Sequence, residues 1–177
     1  IHLALDGLPA ALANAAGRVI VAGKPDDIER AYDCAKYGRV SDRPALELVI
    51  PSLGDPTMAP AGKHVASVVA QYCPYKLKGT SAHDARKQIL ERSLAVLEEV
   101  APGLSQRVTA SETLTPHDLE AQFGMTGGQW HHGEITLDRP TRSKSSLERC
   151  RNSSFSRRSF ADSIARSTRI SRRSDLN

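Results

Sequence analysis

Short apolar runs and longer amphipathic segments alternate along the chain as far as about residue 123. Five runs hold mostly apolar residues between Gly, Pro or polar turn residues, and they predict strands at 2–5, 18–22, 45–50, 64–72 and 107–114. The run at 64–72 carries Val and small residues at both odd and even positions. That pattern predicts a strand covered on both of its faces.

Three segments with apolar residues at helical spacing lie between or after these runs, at 25–37, 82–101 and 116–123. Pro25 suits the first helical position of one segment, and Ser81 suits the N-cap of another. Leu90, Leu94 and Leu97 form one apolar stripe, which we expect to pack on the sheet. The order of the elements predicts an α/β fold of the α+β kind, a mixed β-sheet with helices on one face.

The net charge of +4 combines two unlike regions. Residues 140–177 contain ten Lys or Arg, three Asp or Glu and eleven Ser, with neither Gly nor Pro after residue 140. So few apolar side chains cannot offset an ordering entropy of about 1–2 kcal/mol per residue, which predicts a disordered Ser/Arg-rich tail. Residues 1–139 hold 14 basic and 17 acidic residues together with the apolar pattern, so we expect one partial domain there.

The three cysteines, Cys34, Cys73 and Cys150, are far apart and form no Cys-x-x-Cys pair, so neither a disulfide framework nor a zinc ribbon is expected. The expected location is therefore a reducing, cytoplasmic compartment, with peripheral attachment to a membrane left open. No apolar run approaches the roughly 18 residues of a transmembrane helix. The chain begins at Ile1 inside an apolar run, from which we expect that it continues a longer protein.

Local motifs for nucleotide binding and for nucleophilic catalysis are missing from the sequence. None of the 12 glycines has the Gly-x-Gly-x-x-Gly spacing that brings a pyrophosphate to a helix N-terminus. Neither a P-loop nor a Gly-x-Ser-x-Gly elbow occurs. The densest polar cluster is the run 124–134, in which His131 and His132 are adjacent. Adjacent side chains of an extended segment point to opposite faces, so we expect no metal site, and packed histidines in a Gly-rich loop are the plain alternative.

Several irregular phrases resemble the phytoene dehydrogenase-like oxidoreductases, a family also described by a pyridine nucleotide-disulfide oxidoreductase domain. In chain order they are LALDGLP (3–9), ERAYD (29–33), AKYG (35–38), VIPSL (49–53), DP (55–56), APAGKH (59–64), QYCPY (71–75) and GGQWHHGE (127–134). Cys73 stands where the family usually has a small residue. The phrases are specific together, because irregular loop phrases do not arise from secondary-structure patterning.

The resemblance implies a two-domain flavoprotein that uses FAD to oxidise a small apolar substrate. It makes residues 1–139 part of the substrate domain, and it implies that a short set of residues lies near the flavin or the substrate: Gly127, Gly128, His132, Gly133 and Glu134. No general acid or base is identified, and His132 and Glu134 are the first residues to test. Both flavin-binding stretches of the family are missing, so we expect the chain to be inactive by itself.

The family continues from an Arg-Pro pair into a Gly-rich stretch, whereas here Arg139-Pro140 leads into the Ser/Arg-rich tail. We expect that the tail results from a shifted reading frame or a truncated gene. Its net charge of +7 leaves open a second interpretation, a non-enzymatic binding module that contacts nucleic acid or acidic surfaces. Tyr and Trp are missing from the tail, so specific nucleic-acid binding is not expected.

The missing phosphate-cradling loop leads to a prediction about the isolated chain. We expect the 177-residue chain to retain no FAD, because no glycine-rich turn allows a pyrophosphate to approach the backbone. Gel filtration after incubation with FAD, with absorbance read in the flavin band, measures this. Flavin absorbance that elutes with the protein peak would contradict the assignment to a substrate domain.

Overall fold

Five strands and four α-helices occupy the residues that the computed structural model describes, 1–15 and 17–129. The strands are β1 (His2–Leu5), β2 (Arg18–Val21), β3 (Ala45–Val49), β4 (His64–Gln71) and β5 (Val108–Glu112). The helices are α1 (Pro25–Lys36), α2 (Pro51–Gly54), α3 (Ala82–Val100) and α4 (Pro116–Phe123). All five predicted strands and all three predicted helices are present, with bounds that agree closely with the sequence pattern.

Helix α2 lies in a Pro- and Gly-rich segment whose composition predicts only a loop. It is a single turn of four residues that begins at Pro51, where a proline loses no helical hydrogen bond. An element this short has no apolar periodicity, so the sequence carries no signal for it. The turn matters because it buries Ser52 against the start of β4.

The five strands form one sheet in the order β2-β3-β4-β1-β5. Every described pairing is antiparallel, and the register shifts between Ala4 and Leu5 where β1 pairs with β5. Strand β1 lies between β4 and β5, so strands that are distant in sequence meet inside the sheet. The predicted fold class, α/β with helices packed on a sheet, is confirmed, and the sheet of the described strands is antiparallel where the sequence predicted a mixed one.

One face of the sheet packs against α3, and the residues between them form the hydrophobic core. The buried apolar residues of this core are Leu3, Leu5, Leu12, Val21, Leu46, Leu48, Ile50, Ala66, Val68, Val96, Leu97, Ala101 and Leu104. Leu90 and Leu94 pack at the margin of this core, and Val100 is 44% exposed. The prediction that α3 packs its apolar stripe on the sheet is confirmed, with the centre of the contact at Leu97 rather than at Leu94.

The opposite face of the sheet is only partly covered. Ile20 is 69% exposed, and its neighbours across the sheet, Glu47 and Val69, are half-buried. Arg18 forms an ion pair with Glu47 at 3.0 Å. On β4 this face is buried only at Val65, so the prediction of cover along both faces of that strand is wrong for its second half. The pattern misleads because small and β-branched residues suit partial cover as well as full burial.

Helix α3 begins where the sequence predicts. The Ser81 hydroxyl accepts a hydrogen bond from the Asp84 backbone N–H at 3.0 Å, which satisfies one of the free donors of the first turn. Arg92 donates to the Val40 carbonyl at 2.7 Å and so connects the helix to the segment after α1.

None of the helices in the described part of the chain is long and apolar enough to cross a membrane. The predicted tail, 140–177, lies outside the described residues.

Burial along α3 leads to a prediction about stability. Leu97→Ala removes a fully buried side chain and should lower the free energy of unfolding by about 2–5 kcal/mol, because the surrounding strands cannot close the cavity completely. Val100→Ala, three residues further on the same helix, should cost less than about 0.5 kcal/mol. Urea unfolding of both variants measures the difference, and equal costs would show that α3 does not pack through Leu97.

Candidate functional site

The paired glycines predicted to border a cofactor or substrate lie just after α4. They belong to a single helical turn, Thr126–Gly128, and both have left-handed backbone conformations, with φ of 65° at Gly127 and 66° at Gly128. Residues other than glycine rarely adopt this conformation. The other predicted site residues, His132, Gly133 and Glu134, lie outside the described residues.

Gly128 is buried against the first turn of α4. A Cβ atom at this position would lie 2.3 Å from the Pro116 carbonyl oxygen and 2.4 Å from the Pro116 Cα. At Gly127 the same Cβ would meet nothing within 4 Å, and this residue is exposed. The two glycines therefore have different roles, because Gly128 is required for close backbone packing whereas Gly127 is required only for its dihedral angles.

Glu120 connects this glycine turn to the segment after β4. One carboxylate oxygen accepts a hydrogen bond from the Gly127 backbone N–H at 3.0 Å, and the other accepts from the Tyr75 hydroxyl. The Tyr75 ring stacks on His117 with centroids 4.1 Å apart. The hydrogen bond from Tyr75, followed by that from Gly127, lowers the pKa of Glu120, and the same bond to Glu120 raises the pKa of Tyr75.

Asp118 fixes the start of α4 and ties it to α3. Its carboxylate accepts hydrogen bonds from the Thr115 backbone N–H at 2.8 Å and from the Thr115 hydroxyl at 2.7 Å, a capping box. Arg86 of α3 donates to both of its oxygens, at 2.9 and 2.5 Å. The bond from Arg86 is the largest cause that lowers the pKa of Asp118, and the bonds from Thr115 add to it.

These contacts form a polar frame, which we define as Tyr75, Arg86, His117, Asp118 and Glu120. The frame joins α3, α4 and the segment after β4, and it holds the glycine turn in place. Its members differ from the predicted site residues, and only Tyr75 lies in one of the phrases that resemble known oxidoreductases. The Thr-x-x-Asp spacing signals the cap, whereas no local signal identifies Glu120, because its partners lie 45 residues before it and seven after it.

Two other loop phrases meet at the end of the sheet. The Ser52 hydroxyl lies 3.0 Å from His64 Nδ1 and accepts a hydrogen bond from the Val65 backbone N–H at 3.2 Å. Asp55 caps the next turn by accepting from the Thr57 backbone N–H at 3.1 Å. These polar residues therefore fix the loop between α2 and β4.

Among the described residues, no group of three or more His, Cys, Asp or Glu is arranged to hold a metal ion.

The close approach at Gly128 predicts unequal effects of two matched substitutions. Gly127→Ala should cost about 1–2 kcal/mol, the cost of placing a side chain in a left-handed conformation. Gly128→Ala adds a steric conflict with Pro116, so it should cost about 1–3 kcal/mol more. Urea unfolding of both variants provides the measurement, and equal costs would mean that the turn moves away from α4 without penalty.

The Arg86–Asp118 pair predicts a stability difference that depends on pH. Because the folded pKa of Asp118 is lowered, its charge stabilises the fold above its unfolded pKa of about 3.9, and this contribution is lost as the pH falls towards the folded pKa. Asp118→Asn keeps an acceptor for the cap. It should therefore cost about 1 kcal/mol at pH 7, allowing for the solvent exposure of Arg86, and progressively less below about pH 4.

Thermal unfolding from pH 3 to pH 7 tests this dependence. Asp84→Asn is the matched control, because Asp84 is exposed and, among the described residues, its carboxylate bonds to the Ser81 cap of α3. A cost of Asp118→Asn that stays constant from pH 7 to pH 3 would show that the charge of Asp118 contributes nothing.

Part of this chain is similar in sequence to known proteins. The chain is 42% identical over 113 residues to the pyridine nucleotide-disulfide oxidoreductase domain-containing protein 2 of Rattus norvegicus, and 40% identical over 113 residues to that of Mus musculus. Each match covers 63% of this chain. A phytoene dehydrogenase from Streptomyces griseus is 32% identical over 100 residues, 54% of this chain. No protein-family profile matches the chain.

These matches extend over a small part of the relatives. The shared segment makes up 19% of the length of each rodent protein and 20% of the Streptomyces griseus protein. The resemblance that the loop phrases predict is confirmed. Over this segment the chain is related in sequence to the pyridine nucleotide-disulfide oxidoreductase domain-containing proteins 2 of rodents and, more distantly, to phytoene dehydrogenase.

Proposed function

We propose that the complete gene product containing this chain is an FAD-dependent oxidoreductase that acts on a small apolar substrate. The similarity to relatives that are named as oxidoreductases or dehydrogenases, two from rodents and one from Streptomyces griseus, carries this proposal. Residues 1–139 would form part of the substrate domain. A separate binding function of the basic tail is not favoured, because the relatives are named for oxidoreductase chemistry.

The described residues do not by themselves fit an FAD site. Binding of the pyrophosphate needs a Gly-rich turn that leads from a strand into a helix N-terminus, and neither α1 nor α3 follows such a turn. FAD would therefore be held by other parts of the complete protein. When bound, a flavin accepts the electrons of the substrate, while the protein orients the substrate and excludes water.

The partly covered face of the sheet supports a role on the substrate side of such an enzyme. Ile20, Val49 and Val69 lie on this face without full cover, next to the polar side chains of Glu47 and Ser67. A sheet face that combines aliphatic residues with a limited number of polar groups, here including the Arg18–Glu47 ion pair, can line a pocket for a mostly apolar ligand. We infer that this face borders the substrate cavity in the complete protein.

The polar frame supports a second part of the proposal. It holds Gly127 and Gly128 at the end of α4, and the run that contains His132 and Glu134 continues from there. A segment anchored in this way starts from a fixed position. A segment that lines a cofactor site must be held in such a fixed position. We infer that this run borders the flavin or the substrate.

The flavin content of the complete gene product tests the proposed function. We expect the purified protein to be yellow and to release FAD on denaturation, identified by chromatography against FMN and FAD standards. A folded, full-length protein that neither copurifies with flavin nor binds added FAD would contradict the proposal. The isolated 177-residue chain serves as the matched negative control.

A substitution on the open sheet face tests the position of the substrate cavity. In the complete protein, Val69→Asp should weaken binding of the apolar dye Nile red by at least about tenfold, because a charge in an apolar site is costly to desolvate. Its flavin content should stay unchanged. Val100→Asp, at the exposed end of α3, is the control and should bind the dye normally. Normal binding by Val69→Asp would show that this face does not line the cavity.

A further inference from the structure

The open face of the sheet, the one that does not pack on α3, carries a row of side chains that crosses all five strands. The register places them in the order Arg18, Val49, Ser67, His2 and Glu112, on β2, β3, β4, β1 and β5. Side chains directly opposite each other on antiparallel strands have Cβ atoms about 4.5–5.5 Å apart, so neighbours in the row can interact. A hydroxyl and an imidazole therefore lie side by side in the interior of the sheet face, and the charged residues lie at its edges.

Ser67 has aliphatic neighbours on three sides. Val49 lies opposite it on β3, and Val65 and Val69 lie two residues before and after it on β4, where alternate residues share a face. Val65 is buried, whereas Ser67, Val49 and Val69 are half-buried. On this part of the open face the Ser67 hydroxyl is thus a polar group within an aliphatic patch.

His2 lies on the fourth side of Ser67 and fixes the direction of its hydroxyl. The Ser67 Oγ atom is 3.3 Å from His2 Nδ1. Burial is the main cause that lowers the pKa of His2 to about 4, so the imidazole is neutral near pH 7. A hydroxyl has one donor and two acceptor lone pairs, so contact with His2 leaves Ser67 the capacity for a further hydrogen bond.

We propose that Ser67, oriented by His2, binds the hydroxyl group of an otherwise apolar substrate. Pockets for small ligands are mostly apolar and contain a few polar groups that fix the orientation of the ligand. Here the valines supply the apolar lining and Ser67 supplies the polar group. The inference rests on the proposed position of the substrate cavity on the open face, and it adds a chemical class, an apolar alcohol. Ser67 is then a residue that determines specificity, and His2 is a positioning residue.

The chemistry of the pair favours a hydroxyl over other polar groups. If His2 Nδ1 carries the proton, it donates to Ser67, whose own proton is then directed at the ligand. If Nδ1 lacks the proton, it accepts from Ser67, which then accepts from the ligand. A hydroxyl group fits both arrangements, whereas a carbonyl only accepts and an ammonium only donates. Glu112 follows His2 in the row and disfavours a carboxylate, because like charges repel.

Displacement of Nile red from the complete gene product tests the inference with three ligands, 1-decanol, 1-chlorodecane and decanoate, which differ mainly in their head group. We expect 1-decanol to bind about three- to tenfold more tightly than 1-chlorodecane, the effect of one net hydrogen bond, and more tightly than decanoate. Ser67→Ala should remove the preference by weakening the binding of 1-decanol alone. Ser111→Ala, at an exposed position on β5, is the matched control and should keep the preference.

Two substitutions at His2 separate positioning of Ser67 from simple packing. His2→Ala should reduce the preference for 1-decanol over 1-chlorodecane, because the Ser67 hydroxyl loses the partner that orients it. His2→Asn should retain most of the preference, since its amide places a polar atom near the position of Nδ1. If His2 served packing alone, His2→Ala would change the affinities for both ligands by the same factor, and His2→Asn would restore nothing.

Three results would overturn the inference. They are a preference for 1-decanol that persists in Ser67→Ala, tighter binding of decanoate than of 1-decanol, and a complete protein that binds none of the ligands because another part of it covers this face. The FAD released from the same samples keeps this test apart from that of the proposed function. Protein that carries FAD but shows no preference dependent on Ser67 refutes only the present inference, whereas the preference without FAD refutes only the oxidoreductase function.

Discussion

Burial of one face of the sheet against α3 is the constraint on which the other features of the structure depend. Leu3, Leu5, Leu46, Leu48 and Leu97 are almost completely removed from solvent, and each buried leucine contributes about 1.5–3 kcal/mol. A slip of one residue in any central strand would turn its leucines to the opposite face, so this burial also fixes the strand register. Because the core fixes these elements, it also fixes the positions of the ends of β4 and α3.

The polar frame extends this order from the core to the glycine turn. Arg86 belongs to α3, which the core holds in place, and it positions Asp118 at the start of α4. Glu120, two residues further along α4, accepts hydrogen bonds from Gly127 and Tyr75. Hydrogen bonds to charged groups replace apolar burial here, because α4 has no buried residue of its own. The glycine turn therefore depends on α3 although the two are distant in sequence.

The open face of the sheet differs from the buried face in what it requires of a partner. It combines aliphatic side chains such as Ile20 and Val69 with an ion pair between Arg18 and Glu47, so it suits a mostly apolar ligand or further protein.

The sequence by itself determined the elements and the relationship to oxidoreductases. Period-2 and period-3.6 patterns, Pro25, Ser81 and Thr115 specify local structure, because the interactions that form a strand or a helix end lie within a few residues. The loop phrases identified the relatives because their residues are irregular and therefore informative.

Only the tertiary structure decided what lies next to what. The open face of β4, the single turn of α2, the Glu120 contacts and the packing of Gly128 on Pro116 all join residues through space. The resemblance predicted that Gly127 and Gly128 lie near a cofactor or substrate, and the structure adds that Gly128 is in close contact with the backbone of Pro116. A sequence shows that a residue lacks a side chain, but the atoms that fill the space depend on how distant segments pack.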